Sequence, residues 1–223
     1  MKALALILFL ALPAIAQMEG NPPEWCREGF FTRDSQDLRI AIVKGNATKR
    51  SHIYSGEADP WVGKTKPRTW VVGGDELVVN RSYRGYSCAW FISRAGRTTV
   101  GWVVTSDLSF RETARDASES DWLGRWTYGE NEIEFTPNKL AGYLNVTGTA
   151  IWKGLGDNVH VGELDGRYEP KYGVITYSDG DDEFDCRARL QLLSPYLIVA
   201  DNLKCGGVNV SFNGVYTRRK PSK

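Results

Sequence analysis

The sequence predicts an all-β protein in two domains, and three observations carry that reading. Short runs rich in Val, Ile, Thr, Tyr and Trp recur between turns of Gly, Asn and Asp, with 23 glycines as punctuation. No stretch has the sustained 3.6-residue apolar period of a long helix. In Leu144-Asn145-Val146-Thr147-Gly148-Thr149-Ala150 apolar and polar residues alternate with period two, so one face of that strand is buried and the other is wet.

Strands are expected at 38–43, 76–80, 87–93 and 98–105 in the first half. The last two flank Arg94-Ala95-Gly96-Arg97, a four-residue hairpin loop whose glycine supplies a positive φ. Residues 106–121 are polar, with Leu108 and Phe110 their only large apolar side chains. The final part, 111–121, reads as a linker. The second half opens at Asp121-Trp122-Leu123-Gly124-Arg125-Trp126 and gives strands at 132–136, 143–152, 160–164, 173–177, 185–193, 196–201 and 208–217. So many short strands in ~100 residues must close or stack to hide their edges. The expected organisation is a domain over 26–110, the linker, a second small antiparallel β-barrel or sandwich over 122–218, and a solvated basic tail over 219–223.

At the other end, Lys2 precedes an uncharged run from Ala3 to Ala16 that closes on Ala14-Ile15-Ala16. This is the pattern of a secretory signal peptide over 1–16. The run is short of the ~20 apolar residues of a membrane span, so no span is expected after cleavage. The expected location is periplasmic or secreted. Cys26, Cys88, Cys186 and Cys205 are an even set in an exported chain, which reads as disulfides. Three connectivities exist, and pairing within each half, Cys26–Cys88 and Cys186–Cys205, is the economical one. No Cys-x-x-Cys pair occurs, so no metal site is expected.

With 28 Lys+Arg against 27 Asp+Glu the charge is balanced. That argues against a general nucleic-acid binder, which must neutralise phosphates, and against steering to anionic lipid. Catalysis has little to work with. Two histidines, His52 and His160, fall one in each half, no nucleophile stands beside either, and oxidised cysteines offer no thiolate. No catalytic residue and no cofactor is assigned. Asp179-Gly180-Asp181-Asp182-Glu183-Phe184-Asp185 is dense in carboxylates but lacks the glycine and glutamate spacing of an EF-hand loop, and reads as a solvated hairpin tip. The aromatics are more telling. Trp61, Trp70, Tyr83, Tyr86, Trp90 and Trp102 crowd the first half. Trp90 and Trp102 lie in strands and are expected in the core. Trp61, Tyr83 and Tyr86 are the candidate binding residues, Trp61 foremost because it follows Pro60 in a loop.

Gly101-Trp102-Val103-Val104-Thr105-Ser106-Asp107-Leu108 resembles the closing hairpin and single turn of bacterial SH3-like domains, and Gly85-Tyr86-Ser87-Cys88-Ala89-Trp90-Phe91 resembles the strand that pairs with it. The resemblance spans about 37–108 and implies an SH3-like barrel with 50–67 as its large loop. The segment 122–218, with Cys186-Arg187-Ala188-Arg189-Leu190 and Lys204-Cys205-Gly206-Gly207, resembles a small β domain of uncharacterised proteobacterial envelope proteins. Together these imply an exported, non-catalytic binding protein that recognises cell-wall peptide or glycan, or an envelope protein, through its SH3-like half. A periplasmic inhibitor or immunity protein is the alternative. A hydrolase with an unrecognised carboxylate site, or a lipocalin-like carrier using a cavity in the second barrel, is a further one.

Overall fold

The computed structural model describes residues 25–33, 38–56, 60, 61, 63, 65–111 and 117–219. The expected signal peptide, residues 112–116 of the expected linker and residues 220–223 of the tail lie outside them.

The protein is all-β. In the first half β1 (Arg39–Val43), β4 (Glu76–Tyr83), β5 (Tyr86–Ile92), β6 (Thr98–Val104) and β7 (Leu108–Arg111) form one antiparallel sheet in the order β6-β5-β4-β1-β7. A separate hairpin pairs β2 (Arg50–Ile53) with β3 (Thr69–Val72). So 50–67 is not all loop: Ser51 and Ile53 are buried and their neighbours exposed, which is a strand pattern four residues long. The hairpin joins the sheet where Tyr54 and Trp102 exchange backbone hydrogen bonds of 2.8 and 2.7 Å. A Cβ on Gly101 would lie 2.5 Å from the Tyr54 carbonyl oxygen, so only glycine permits this approach. β7 falls in the polar stretch after the expected last strand, because Leu108 and Phe110 alternate with Ser109 and Arg111 in register with β1.

The second half is an eight-stranded meander: β8 (Gly124–Tyr128), β9 (Asn131–Pro137), β10 (Leu144–Lys153), β11 (Val159–Tyr168), β12 (Val174–Ser178), β13 (Arg187–Leu193), β14 (Tyr196–Asp201) and β15 (Gly214–Arg218). β15 pairs with β8, so the sheet curls into a barrel open only between β11 and β12. Side chains bridge that seam: the Tyr168 hydroxyl donates to the Ser178 carbonyl at 2.7 Å, and the Asp165 N–H donates to the Tyr177 hydroxyl at 3.3 Å. Trp122, at the end of the short helix α2 (Glu119–Trp122), fills the interior with Trp126, Phe135, Phe212 and Tyr216, all nearly or fully buried. The interior is thus packed with these side chains, as in the smallest barrels.

Residues 208–213, expected to be strand, form the loop before β15. Asp201 is the cause. Its buried carboxylate accepts the Phe212 N–H at 2.6 Å, the Ser211 hydroxyl at 3.2 Å and the Leu203 N–H at 3.0 Å. These bonds turn the chain back over the barrel mouth and drop Val210 and Phe212 into the core. The backbone prefers a charge-assisted side-chain acceptor here to a ladder partner.

The four cysteines form two disulfides, Cys26–Cys88 and Cys186–Cys205. The first pins the segment of α1 (Glu28–Phe31) to β5, and the second ties the loop before β15 to the start of β13. Disulfides persist in oxidising compartments, so the protein works outside the cytoplasm. Among the described residues no helix is long and apolar enough to cross a membrane.

Three cores stack through the molecule. Ala41, Val43, Ile53, Leu77, Val79 and Val103 form the core between the first sheet and its hairpin. Ile40, Val78, Cys88, Trp90 and Trp102 point to the opposite face of that sheet and meet Leu193, Ile198 and Val215 of the barrel wall. Leu190, Leu192, Leu197, Val199 and Tyr216 of the same wall point into the barrel. Phe31 packs edge-on to Trp90, and Trp90 edge-on to Tyr128, both at 5.3 Å. Burying Leu193, Ile198 and Val215 alone contributes roughly 5 kcal/mol or more, which is of the order of a whole domain's net stability.

The two halves should therefore unfold together. Calorimetry is expected to give one transition with equal calorimetric and van't Hoff enthalpies. Two resolved transitions would show that the middle core does not couple the halves.

Candidate functional site

The β4–β5 hairpin turns through Arg84 and Gly85, at φ 47° and 82°. Two successive positive φ values are the type I′ geometry that suits the twist of a tight hairpin. The turn makes Tyr83 and Tyr86 direct cross-strand partners. Trp61, from the loop between β2 and β3, lies edge-on to both, with ring centroids 5.2 Å from Tyr83 and 5.4 Å from Tyr86. It also meets buried Trp102 at 5.1 Å. Three such contacts anchor the loop by roughly 2–4 kcal/mol. Tyr54 extends the cluster beyond Tyr86 at 5.7 Å and Trp25 beyond Tyr83 at 6.1 Å, while the Arg84 guanidinium covers Tyr83 at 5.1 Å.

The structure thus brings the three candidate binding residues together. Trp61, Tyr83 and Tyr86 are each half-buried, with their inner edges on the middle core and their outer edges accessible. Trp90 and Trp102 are core residues, each 1% exposed.

A second surface lies at the far end of β5. Arg68, Thr69 and Trp70 on one side and Phe91, Ser93, Arg97, Thr98 and Thr99 on the other line an open groove of about 510 Å³. Trp70 is 42% exposed, and the Arg50 guanidinium stacks on its ring at 4.3 Å. The sequence draws attention to Trp70 only as one aromatic among six. Its companions Arg68 and Arg97 are 29 positions apart and meet only through the pairing of hairpins. A third groove of about 320 Å³ crosses the outer face of the barrel, where Glu132, Glu134, Glu163 and Asp165 flank Thr147 and Thr149. Arg125 pairs with Glu132 at 3.2 Å and with Glu134 at 3.4 Å, and Arg219 reaches Glu132 at 3.6 Å, so one side of it is neutralised.

The histidines are placed structurally. His160 Nδ1 lies 2.6 Å from the Val208 carbonyl and its ring tilts against Trp152. His52 is exposed, with its ring edge-on to Tyr54. The acidic run at 179–185 folds on itself: the Asp185 carboxylate accepts the Asp182 N–H at 2.6 Å, and the Arg187 guanidinium donates to the Asp182 carbonyl at 2.8 Å. Among the described residues no group of three His, Cys, Asp or Glu side chains is arranged to hold a metal ion.

Two groups tune the frame around these surfaces. Burial pushes the Tyr128 hydroxyl up to about 12, and the charge and hydrogen bond of Glu28 add to the shift, so the phenol stays protonated and bridges the two halves as a donor to Glu28. Asp107 is held below the usual carboxylate range by hydrogen bonds from Lys49 at 2.9 Å and Ser51 at 2.8 Å. It fastens β2, and with it the start of the loop that carries Trp61, to the turn after β6.

Comparison with protein-family models, with characterised proteins and with solved structures gives no match for this chain.

Because Asp107 is depressed in the folded state, its contribution is present above the ordinary carboxylate pKa of ~3.9 and fades as the pH falls below it. Asp107→Asn is expected to lower stability by about 1 kcal/mol at pH 7, with the gap to the unsubstituted protein closing toward pH 3 in urea unfolding. A gap independent of pH would show that the charge plays no part.

Proposed function

We propose that the protein is an exported binding protein of the bacterial envelope, periplasmic or secreted, that recognises cell-wall peptide or glycan through an SH3-like N-terminal half. One observation carries this reading: Trp61, Tyr83 and Tyr86 converge from a loop and a hairpin into a single half-buried aromatic surface. Aromatic rings with one packed edge and one wet edge are suited to stack on sugar or peptide without ordering cost, since their rotamers are already fixed.

The compartment supports the same reading. Two disulfides fit a compartment outside the cytoplasm, and the wall and its glycans lie outside the cytoplasm too. The balanced overall charge suits a module that selects by shape and stacking over one that relies on long-range attraction.

Purified protein incubated with insoluble peptidoglycan is expected to co-sediment, and Trp61→Ala to lower retention about tenfold or more while the circular dichroism spectrum is kept. Tyr86→Ala should weaken it to a lesser degree. Undiminished retention in both variants sinks the reading. So does the absence of sacculus binding together with a stoichiometric protein partner from a periplasmic extract, which would favour an inhibitor.

A further inference from the structure

We propose that the groove at the far end of β5 is a second binding site and that it takes an acidic glycan, a sugar chain carrying carboxylates. It stands apart from the aromatic cluster. Tyr86 begins the seven-residue strand β5 and Phe91 lies near its end, and at ~3.3 Å per residue the two sites are roughly 17 Å apart or more.

Three features of the groove converge on that ligand. The first is charge. Arg68 and Arg97 stand exposed on opposite sides of it, and among the described residues neither forms an ion pair. A guanidinium fork matches the two oxygens of a carboxylate. Unpaired and facing one cleft, the two arginines make a local cationic surface on a protein that is otherwise balanced. The second is the indole of Trp70. Arg50 stacks on its ring, which fixes the ring in place, and 42% of the residue stays open to solvent. An indole held in this way offers an apolar face to the C–H face of a pyranose. The third is hydroxyl groups. Thr69, Thr98 and Thr99 line the same walls and provide donors and acceptors for sugar hydroxyls. A volume of about 510 Å³ admits a few sugar rings.

Single-stranded nucleic acid also likes arginine and tryptophan. Disulfides place this groove outside the cytoplasm, which favours a glycan over a nucleic acid and makes the oligonucleotide an outcome of the test.

Isothermal titration of the full protein with a uronic-acid hexasaccharide tests the site, with maltohexaose and an oligothymidylate as competing arms. Binding of the uronate, weakened about fivefold by each of Arg68→Gln and Arg97→Gln, is expected. Trp70→Ala should cost a similar factor, and Arg97→Lys should restore only part of the loss because it keeps the charge but not the fork. Lys171→Gln, which removes a cation elsewhere on the surface, should leave the affinity alone. The altered side chains are exposed, so the fold is expected to survive, and melting curves verify it. No uronate binding, equal binding of the neutral sugar, indifference to both arginine substitutions, or tighter binding of the oligothymidylate overturns the proposal. Peptidoglycan retention measured on the same variants separates this outcome from that of the aromatic cluster.

Discussion

Ile198 and Val215 sit on the outer side of the barrel wall, yet each is only 1% exposed. Their neighbours Leu197, Val199 and Tyr216 are buried on the inner side. The wall formed by β14, β15 and the end of β13 is thus covered on both faces, by the barrel's own core and by the sheet of the first half. That double burial is the constraint on which the rest depends. It removes the alternation that a free barrel wall would show, and it makes the first sheet a central layer, with its private core on one side and the shared core on the other.

Polar contacts at the rim follow from the same packing. Tyr128 pairs with Glu28, and Tyr196 with Glu76, so the first half contributes carboxylates to the second half's tyrosines. Arg111 pairs with Glu76 at 3.1 Å and donates to the Ser194 carbonyl at 3.2 Å across the junction. Burial raises both tyrosines, which keeps them as neutral donors over the working pH range and avoids an uncompensated charge beside an apolar core. The Cys26–Cys88 disulfide lies within the shared core and holds Phe31 over Trp90, so the first staple serves the junction as much as its own sheet.

The two candidate surfaces are consequences of how the hairpins end. At one end of β5 a two-residue turn presents Tyr83 and Tyr86 to Trp61; at the other, the Arg94–Arg97 loop places Arg97 opposite Arg68. A central sheet packed on both faces has few places left to bind anything except its strand ends. Rigid strands ending in short turns hold side chains in place more firmly than long loops do.

The sequence by itself determined the all-β class, the strand pattern at Leu144–Ala150, the cysteine set and the burial of Trp90 and Trp102, because each rests on local periodicity or composition. It also drew attention to Trp61, Tyr83 and Tyr86, since a crowd of aromatics and a proline-flanked tryptophan are local signals. The unbroken apolar run Leu192-Leu193 and Tyr196-Leu197-Ile198-Val199-Ala200 announces two-sided burial, but a run of that kind does not name what covers it. Only the tertiary structure decided the shared core, the loop at 208–213 and the Arg68–Trp70–Arg97 groove. In each case the partners are far apart in sequence, or, as with Asp201 and Phe212, a buried carboxylate outbids the strand propensity of Val208, Val210 and Phe212. Propensity acts over a few residues, whereas burial and hydrogen-bond satisfaction are settled by whatever the whole chain brings alongside.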